Sequence, residues 1–95
     1  ARSVVITLGM NGLIWKNAGG AGRHPAFLVD VKDTTGAGDA FHGAFAGCLA
    51  MGKEWNETLT YSSAAAALCC TKLGARAGIP EGVEVERFLK RRHHV

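Results

Sequence analysis

Apolar and polar positions along the chain follow two rhythms that change over near residue 36. Ser3 to Leu8 reads S-V-V-I-T-L, a β-branched apolar run closed by Gly9, and predicts a buried strand. Gly9 to Gly12 reads as a turn, and Leu13-Ile14-Trp15 as a second short strand. Asn17 to Gly22 is rich in Gly and Ala and is expected to be a loop. Ala26 to Val31 reads A-F-L-V-D-V and predicts a third strand, in one sheet with the first.

Beyond the glycine-rich stretch Thr34–Gly38 the apolar period becomes helical. From Asp39 to Met51, Ala40, Phe41, Ala44, Phe45, Cys48 and Leu49 recur at helical spacing, with Gly52 as the stop. Asn56 is the expected N-cap of a second helix that runs through Ala64–Ala67 to about Leu73, where Gly74 ends it. Residues 75–82 form a loop with Pro80, and Val83 to about Arg92 predicts a last amphipathic helix with Val85, Phe88 and Leu89 inward. The fold class is α/β, with the helices at 39–51 and 57–73 covering the sheet.

Composition narrows the function classes. The 95 residues include 13 Gly, and 47% are hydrophobic, which excludes a disordered or collagen-like chain. No apolar run approaches the ~18 residues of a membrane span, so no membrane partner is expected. The net charge of +3 comes from the end of the chain, where Arg87, Lys90, Arg91 and Arg92 follow without an acid. That reads as a solvated helix face near a helix C-terminus, not a nucleic-acid footprint. Cys48, Cys69 and Cys70 lie among Ala, Leu and Gly. They are expected as buried thiols of a reducing, cytoplasmic compartment. No C-x-x-C or His-x₃-His spacing exists, and no metal site is expected in this segment.

The segment that carries chemistry is Asp33-Thr34-Thr35-Gly36-Ala37-Gly38-Asp39-Ala40-Phe41. Gly36 and Gly38 allow a sharp turn into a helix whose first N–H groups face outward, a natural anion seat. Asp39 stands in the first turn of that helix. A carboxylate repels an anion, so it suits the site if it takes a proton from a hydroxyl that attacks phosphorus. A bare G-x-G-D reads equally as a plain loop with an Asp favoured by the helix start. G-x₄-G-K-[ST] and G-x-G-x-x-G are both absent, which sets aside the P-loop and Rossmann readings.

The longer string resembles the C-terminal signature D-T-x-G-A-G-D-x-F of the ribokinase-like (PfkB) carbohydrate kinases, with every specified position matched. Thr7-Leu8-Gly9-Met10-Asn11-Gly12 is similar to that family's T-x-G-x-x-G turn, and Ala64–Gly74 with Gly78-Ile79-Pro80 to its alanine-rich helix and closing loop. The resemblance implies that residues 1–95 are the C-terminal, ATP-side portion of a three-layer α/β/α kinase, without the N-terminal sugar-binding part and lid. It implies ATP-dependent phosphorylation of a sugar hydroxyl, with ATP and Mg²⁺ as cofactors, K⁺ in some members, and room for a homo-oligomer. Asp39 matches the catalytic base, Gly36, Ala37 and Gly38 the anion hole, and Thr7, Gly9 and Gly12 nucleotide contacts. Asp33 and Thr35, with Gly74 and Gly78, match a monovalent-cation position. Ser63 stands where relatives often place Asn or His near the adenine. His42 is expected as a neighbour of the site, and Trp15 and Trp55 as packing residues. The acids that orient Mg²⁺ belong to the upstream part of the family pattern, so the chain alone is expected to be inactive. A stand-alone nucleotide- or phosphate-binding module is the alternative.

Overall fold

The computed structural model describes residues 3–7, 9–29, 31–32, 34–71 and 82–93. Three antiparallel strands, β1 (Val4–Thr7), β2 (Leu13–Asn17) and β3 (Gly20–His24), form one sheet in the order β1-β2-β3. Among the described residues three α-helices follow: α1 (Ala37–Ala50), α2 (Trp55–Cys70) and α3 (Gly82–His93). A short 3₁₀ turn, Gly9–Asn11, joins β1 to β2.

The register explains which faces meet the helices. Val5 pairs with Trp15 and Thr7 with Leu13, while Ile6 pairs with Ile14 on the other face. Alternation therefore sends Val5, Leu13 and Trp15 toward α1 and α2 and leaves Val4, Ile6 and Ile14 exposed. Helix α2 is the centre of the molecule. On one side Leu59 joins Leu13 and Phe41, with Val5, Trp15, Phe45 and Trp55 around them. On the other, Ala64, Ala65 and Ala67 pack against Val85 and Phe88 of α3. Small residues on α2 let both layers approach closely.

Two expectations about the strands are overturned. Residues 20–22 of the expected loop belong to the strand Gly20–His24, and residues 26–29 lie outside any strand among the described residues. Asn17 accepts the Gly19 N–H on its Oδ1 at 2.8 Å, which closes a tight turn and sets Asn17 opposite Gly20. Gly22 then lies opposite Trp15, and a Cβ on it would press on the indole at 3.0 Å. The large ring lies over a bare strand, so glycine costs the ladder less than its propensity suggests. Residues 26–29 keep the alternation of an extended chain, with Phe27 and Val29 packed against the α2–α3 core and Leu28 75% exposed. Phe27 and Val29 turn to the helices, and among the described residues this segment is not a strand of the sheet.

The helices follow the predicted pattern with small shifts. Helix α1 ends in the arrangement read from Gly52: the Gly52 N–H reaches Leu49 O at 3.1 Å and the Lys53 N–H reaches Cys48 O at 3.0 Å. Gly52 takes φ +73°, where a side chain would be strained. Leu49, one of the apolar residues at helical spacing, is 51% exposed. The N-cap of α2 is Glu54, not Asn56, because the backbone is still extended at Glu54 and the Thr58 N–H already reaches its carbonyl at 2.8 Å. Helix α2 ends at Cys70 with Thr71 as its C-cap, a few residues before the predicted end at Leu73, and Gly74, the predicted stop, lies outside the described residues. Trp15 and Trp55 pack edge to face at 5.6 Å, and Phe45 meets Trp55 at 5.7 Å, so both indoles belong to the core.

Burial pushes the Cys48 thiol on α1 above its ordinary 9.0, helped by Glu57 and opposed by Lys53. Burial likewise pushes the Tyr61 phenol on α2 above 10.0, with Cys48 and Glu86 adding to it. Both groups hold their protons longer when folded than when unfolded. Their contribution is complete below the unfolded values and is lost as the pH rises through the folded ones. Urea unfolding should accordingly show a lower midpoint at pH 10.5 than at pH 8, and Tyr61→Phe should flatten part of that decline. A midpoint that does not fall would remove these groups from the stability balance.

Candidate active site

A cavity of about 250 Å³ opens between the sheet, the start of α1 and the middle of α2. Thr7, Gly9 and Gly12 line it from the β1–β2 turn, Ala37, Gly38 and Phe41 from α1, and Ser63, Ala66, Ala67 and Cys70 from α2. Ala26, Phe27 and Val29 close the remaining wall. Two glycine turns separated by more than twenty residues in sequence therefore face one space.

The turn into α1 is built as its composition requires. Gly36 is the N-cap with φ +82°, and no side chain caps the helix. The Ala37 N–H donates to Thr34 O at 3.1 Å and the Ala40 N–H to Gly36 O at 2.9 Å. Of the first-turn donors, those of Gly38 and Asp39 are left without an acceptor inside the helix. Within the expected anion hole, Gly36 thus shapes the turn, the Ala37 N–H is engaged, and the Gly38 N–H is available.

Gly38 and Gly12 are glycines for different reasons. Gly38 has no positive φ, and a Cβ there would meet nothing within 4 Å. The fold does not need a glycine at that position, whereas a ligand approaching the backbone does. Gly12 takes φ +87°, and its Cβ would run into the His24 carbonyl, Pro25 and Ala26. Gly12 is therefore required by the fold, besides lining the cavity.

Asp39 lies in the first turn of α1 and is exposed, beside the cavity rather than in its wall. His42 is exposed on a separate hollow of about 290 Å³ with Val5, Phe45 and Trp55. Of the residues matched to a monovalent cation, Asp33, Gly74 and Gly78 lie outside the described residues. The Thr35 carbonyl accepts the Cys69 thiol at 3.6 Å, and the Cys70 carbonyl accepts the Lys32 N–H at 2.7 Å. The C-terminal end of α2 is thereby joined to the chain on either side of Asp33. Among the described residues no group of three or more His, Cys, Asp or Glu could hold a metal ion.

The wall of Ala26, Phe27 and Val29 was missed from the sequence as part of the site. Its signal is the alternation of residues 26–31, a pattern that by itself reads as a strand.

Comparison with known proteins places this geometry in context. The model of the pfkB family carbohydrate kinases matches residues 1–82. The ribokinase of Haemophilus influenzae is 39% identical over 88 residues, which cover 93% of this chain and 29% of that protein. The crystal structure of ribokinase from Thermotoga maritima superposes with a TM-score of 0.89 at 43% identity, covering 95% of this chain and 30% of the other. A putative ribokinase II from E. coli, solved in complex with ATP and Mg²⁺, superposes with a TM-score of 0.90 at 31% identity over 96% of this chain and 30% of its own. The chain thus spans about 30% of the length of the relatives it matches. With the family model covering most of its length and the two glycine turns meeting at one cavity, the chain belongs to the pfkB family of carbohydrate kinases.

Proposed function

We propose that this segment is the nucleotide side of an ATP-dependent, cytoplasmic kinase that phosphorylates the hydroxyl of a sugar or sugar-like substrate, with Asp39 as general base. The observation that carries the reading is Gly38. It is a glycine the fold does not require, at a helix start with unengaged N–H donors, on the wall of the cavity shared with Thr7, Gly9 and Gly12. The nucleotide would lie along the cavity with its terminal phosphates against the N–H groups of Gly38 and Asp39. There the helix start stabilises negative charge on the transferring group.

Asp39, on the solvent side of the same turn, would meet the acceptor hydroxyl from outside the cavity. Its carboxylate would take the hydroxyl proton as the oxygen attacks the γ-phosphorus and the bond to the β-phosphate oxygen breaks. ATP is the phosphoryl donor, as the complex of the E. coli relative suggests. Mg²⁺ would neutralise phosphate charge when bound, and we assign its ligands to acids outside this segment, as the family pattern implies. The position of Asp33 and Thr35 remains our assignment for a monovalent cation.

Gly38→Ala tests the reading. Alanine suits a helix start, so the melting temperature should stay within a few degrees of the parent. The backbone N–H is kept, but the new Cβ would hold the phosphate off it, so ADP affinity should fall by about tenfold, up to the share of one charge-assisted hydrogen bond. In a complete kinase carrying this segment, assayed on ribose, fructose and a nucleoside, the same change should slow phosphorylation of whichever acceptor is used. Unaltered ADP affinity would remove the helix start from the phosphate site.

A further inference from the structure

The wall of the cavity at residues 25–29 is extended but makes no ladder with the sheet. It continues directly from β3, whose His24 pairs with Leu13 of β2, and further contacts hold it along its length. At the far end, the Lys32 N–H is held by Cys70 O at 2.7 Å. In between, Phe27 meets Phe88 edge to face at 5.3 Å. At the near end stands His24, the last residue of β3 and half-buried. Its Nδ1 lies 3.0 Å from the Pro25 carbonyl and its Nε2 lies 3.1 Å from Thr60 Oγ1 on α2.

A carbonyl can only accept, so Nδ1 carries the hydrogen and donates to Pro25 O. In the neutral ring Nε2 is then an acceptor, and the Thr60 hydroxyl donates to it. The imidazole thus ties the first peptide of the wall to a fixed point on the central helix. The same place is where Gly12 packs, since a Cβ on Gly12 would meet His24 O, Pro25 and Ala26. The ring therefore adds to the pairing of His24 with Leu13 and braces the junction where the wall leaves the Gly9–Gly12 turn, at the edge of the cavity.

We propose that His24, through Thr60, is a positioning residue for the nucleotide: it fixes the cavity's outer wall and so sets nucleotide affinity, while taking no part in phosphoryl transfer. The proposal rests on the cavity being the nucleotide seat. Neither side chain lines the cavity, so their effect on a ligand there must pass through the wall.

The test uses the 95-residue chain and ADP as probe. Thr60→Val keeps the shape of the side chain and removes only the hydroxyl. It should weaken ADP binding by about 3- to 10-fold, up to the worth of the bond that braces the wall, and lower the melting temperature by a few degrees, since the free chain makes that bond too. Thr60→Ser, which restores the donor, should bind ADP as the parent does. His24→Val should weaken ADP at least as much as Thr60→Val, and adding Thr60→Val to it should cost nothing further, because both changes break the same bond. Parent-like affinity in Thr60→Val overturns the proposal, as does a full additional loss in the double variant. If His24→Val fails to fold, the Thr60→Val and Thr60→Ser pair decides alone. Should the parent chain bind no ADP, the nucleotide reading falls, and amide exchange at Ala26–Val29 judges the tether. Faster exchange there in Thr60→Val but not in Thr60→Ser supports it, and equal exchange overturns it.

Discussion

Asp39→Asn in a complete kinase carrying this segment is expected to lower the rate of phosphorylation by about 10²- to 10⁴-fold, the contribution of a positioned general base. The asparagine keeps the size and leaves the helix start intact, because Asp39 makes no capping bond to it. ATP affinity should therefore change little, and the loss should fall on kcat. The amide cannot take the acceptor's proton, so the attacking oxygen must lose it to water. Single-turnover kinetics with ATP in excess would separate the two effects. A variant with near-parent turnover would remove Asp39 from the mechanism, and one that lost ATP affinity instead would make it a binding residue.

Gly12→Ala should have the largest effect on stability, lowering it by about 2–5 kcal/mol. Two costs add. The residue is held at φ +87°, a left-handed conformation that costs an alanine ~1–2 kcal/mol. The new Cβ must also displace the His24 carbonyl and the backbone of Pro25 and Ala26, an overpacking of ~1–3 kcal/mol. For a chain of this size the melting temperature should drop by more than about 10 °C. Gly9→Ala is the control. Gly9 also has a positive φ, +61°, but a Cβ there meets nothing within 4 Å, so only the conformational cost of ~1 kcal/mol applies. Equal losses in the two variants would show that the contact with His24 and Pro25 carries no weight.

How far the fold was legible depended on where the ordering forces are local. The change from β-branched runs to helical spacing at residue 36 located α1, α2 and α3 within a few residues, because apolar period and glycine stops are local signals. The strand β3 was not legible. Its residues, G-A-G-R-H, have poor strand propensity, and what favours the strand is Trp15 lying over Gly22 across the ladder, a contact between strands. Residues 26–29 were misread for the opposite reason. Their alternation is real, but it reports which side chains meet α2 and α3, and among the described residues they belong to no strand of the sheet.

The site was legible through its backbone chemistry. A glycine turn opening a helix with Asp39 in its first turn could be read directly, and the cavity unites it with Thr7, Gly9 and Gly12. The bond from Ala37 N–H to Thr34 O and the tether from His24 to Thr60 were not legible. Both depend on how the chain comes back on itself after the elements are in place.

The most direct measurement of the central claim is a titration of the uniformly ¹⁵N-labelled chain with ADP, followed by amide resonances. A nucleotide seated between the two turns should shift Gly36, Gly38 and Asp39 together with Thr7 and Gly9, all saturating at one dissociation constant, while Gly43 and Gly47 farther along α1 stay in place. The same sample, given ATP, Mg²⁺ and ribose, should form no sugar phosphate. Shifts confined to one turn, or none at all in a chain whose α1 and α2 amides are protected, would contradict the account.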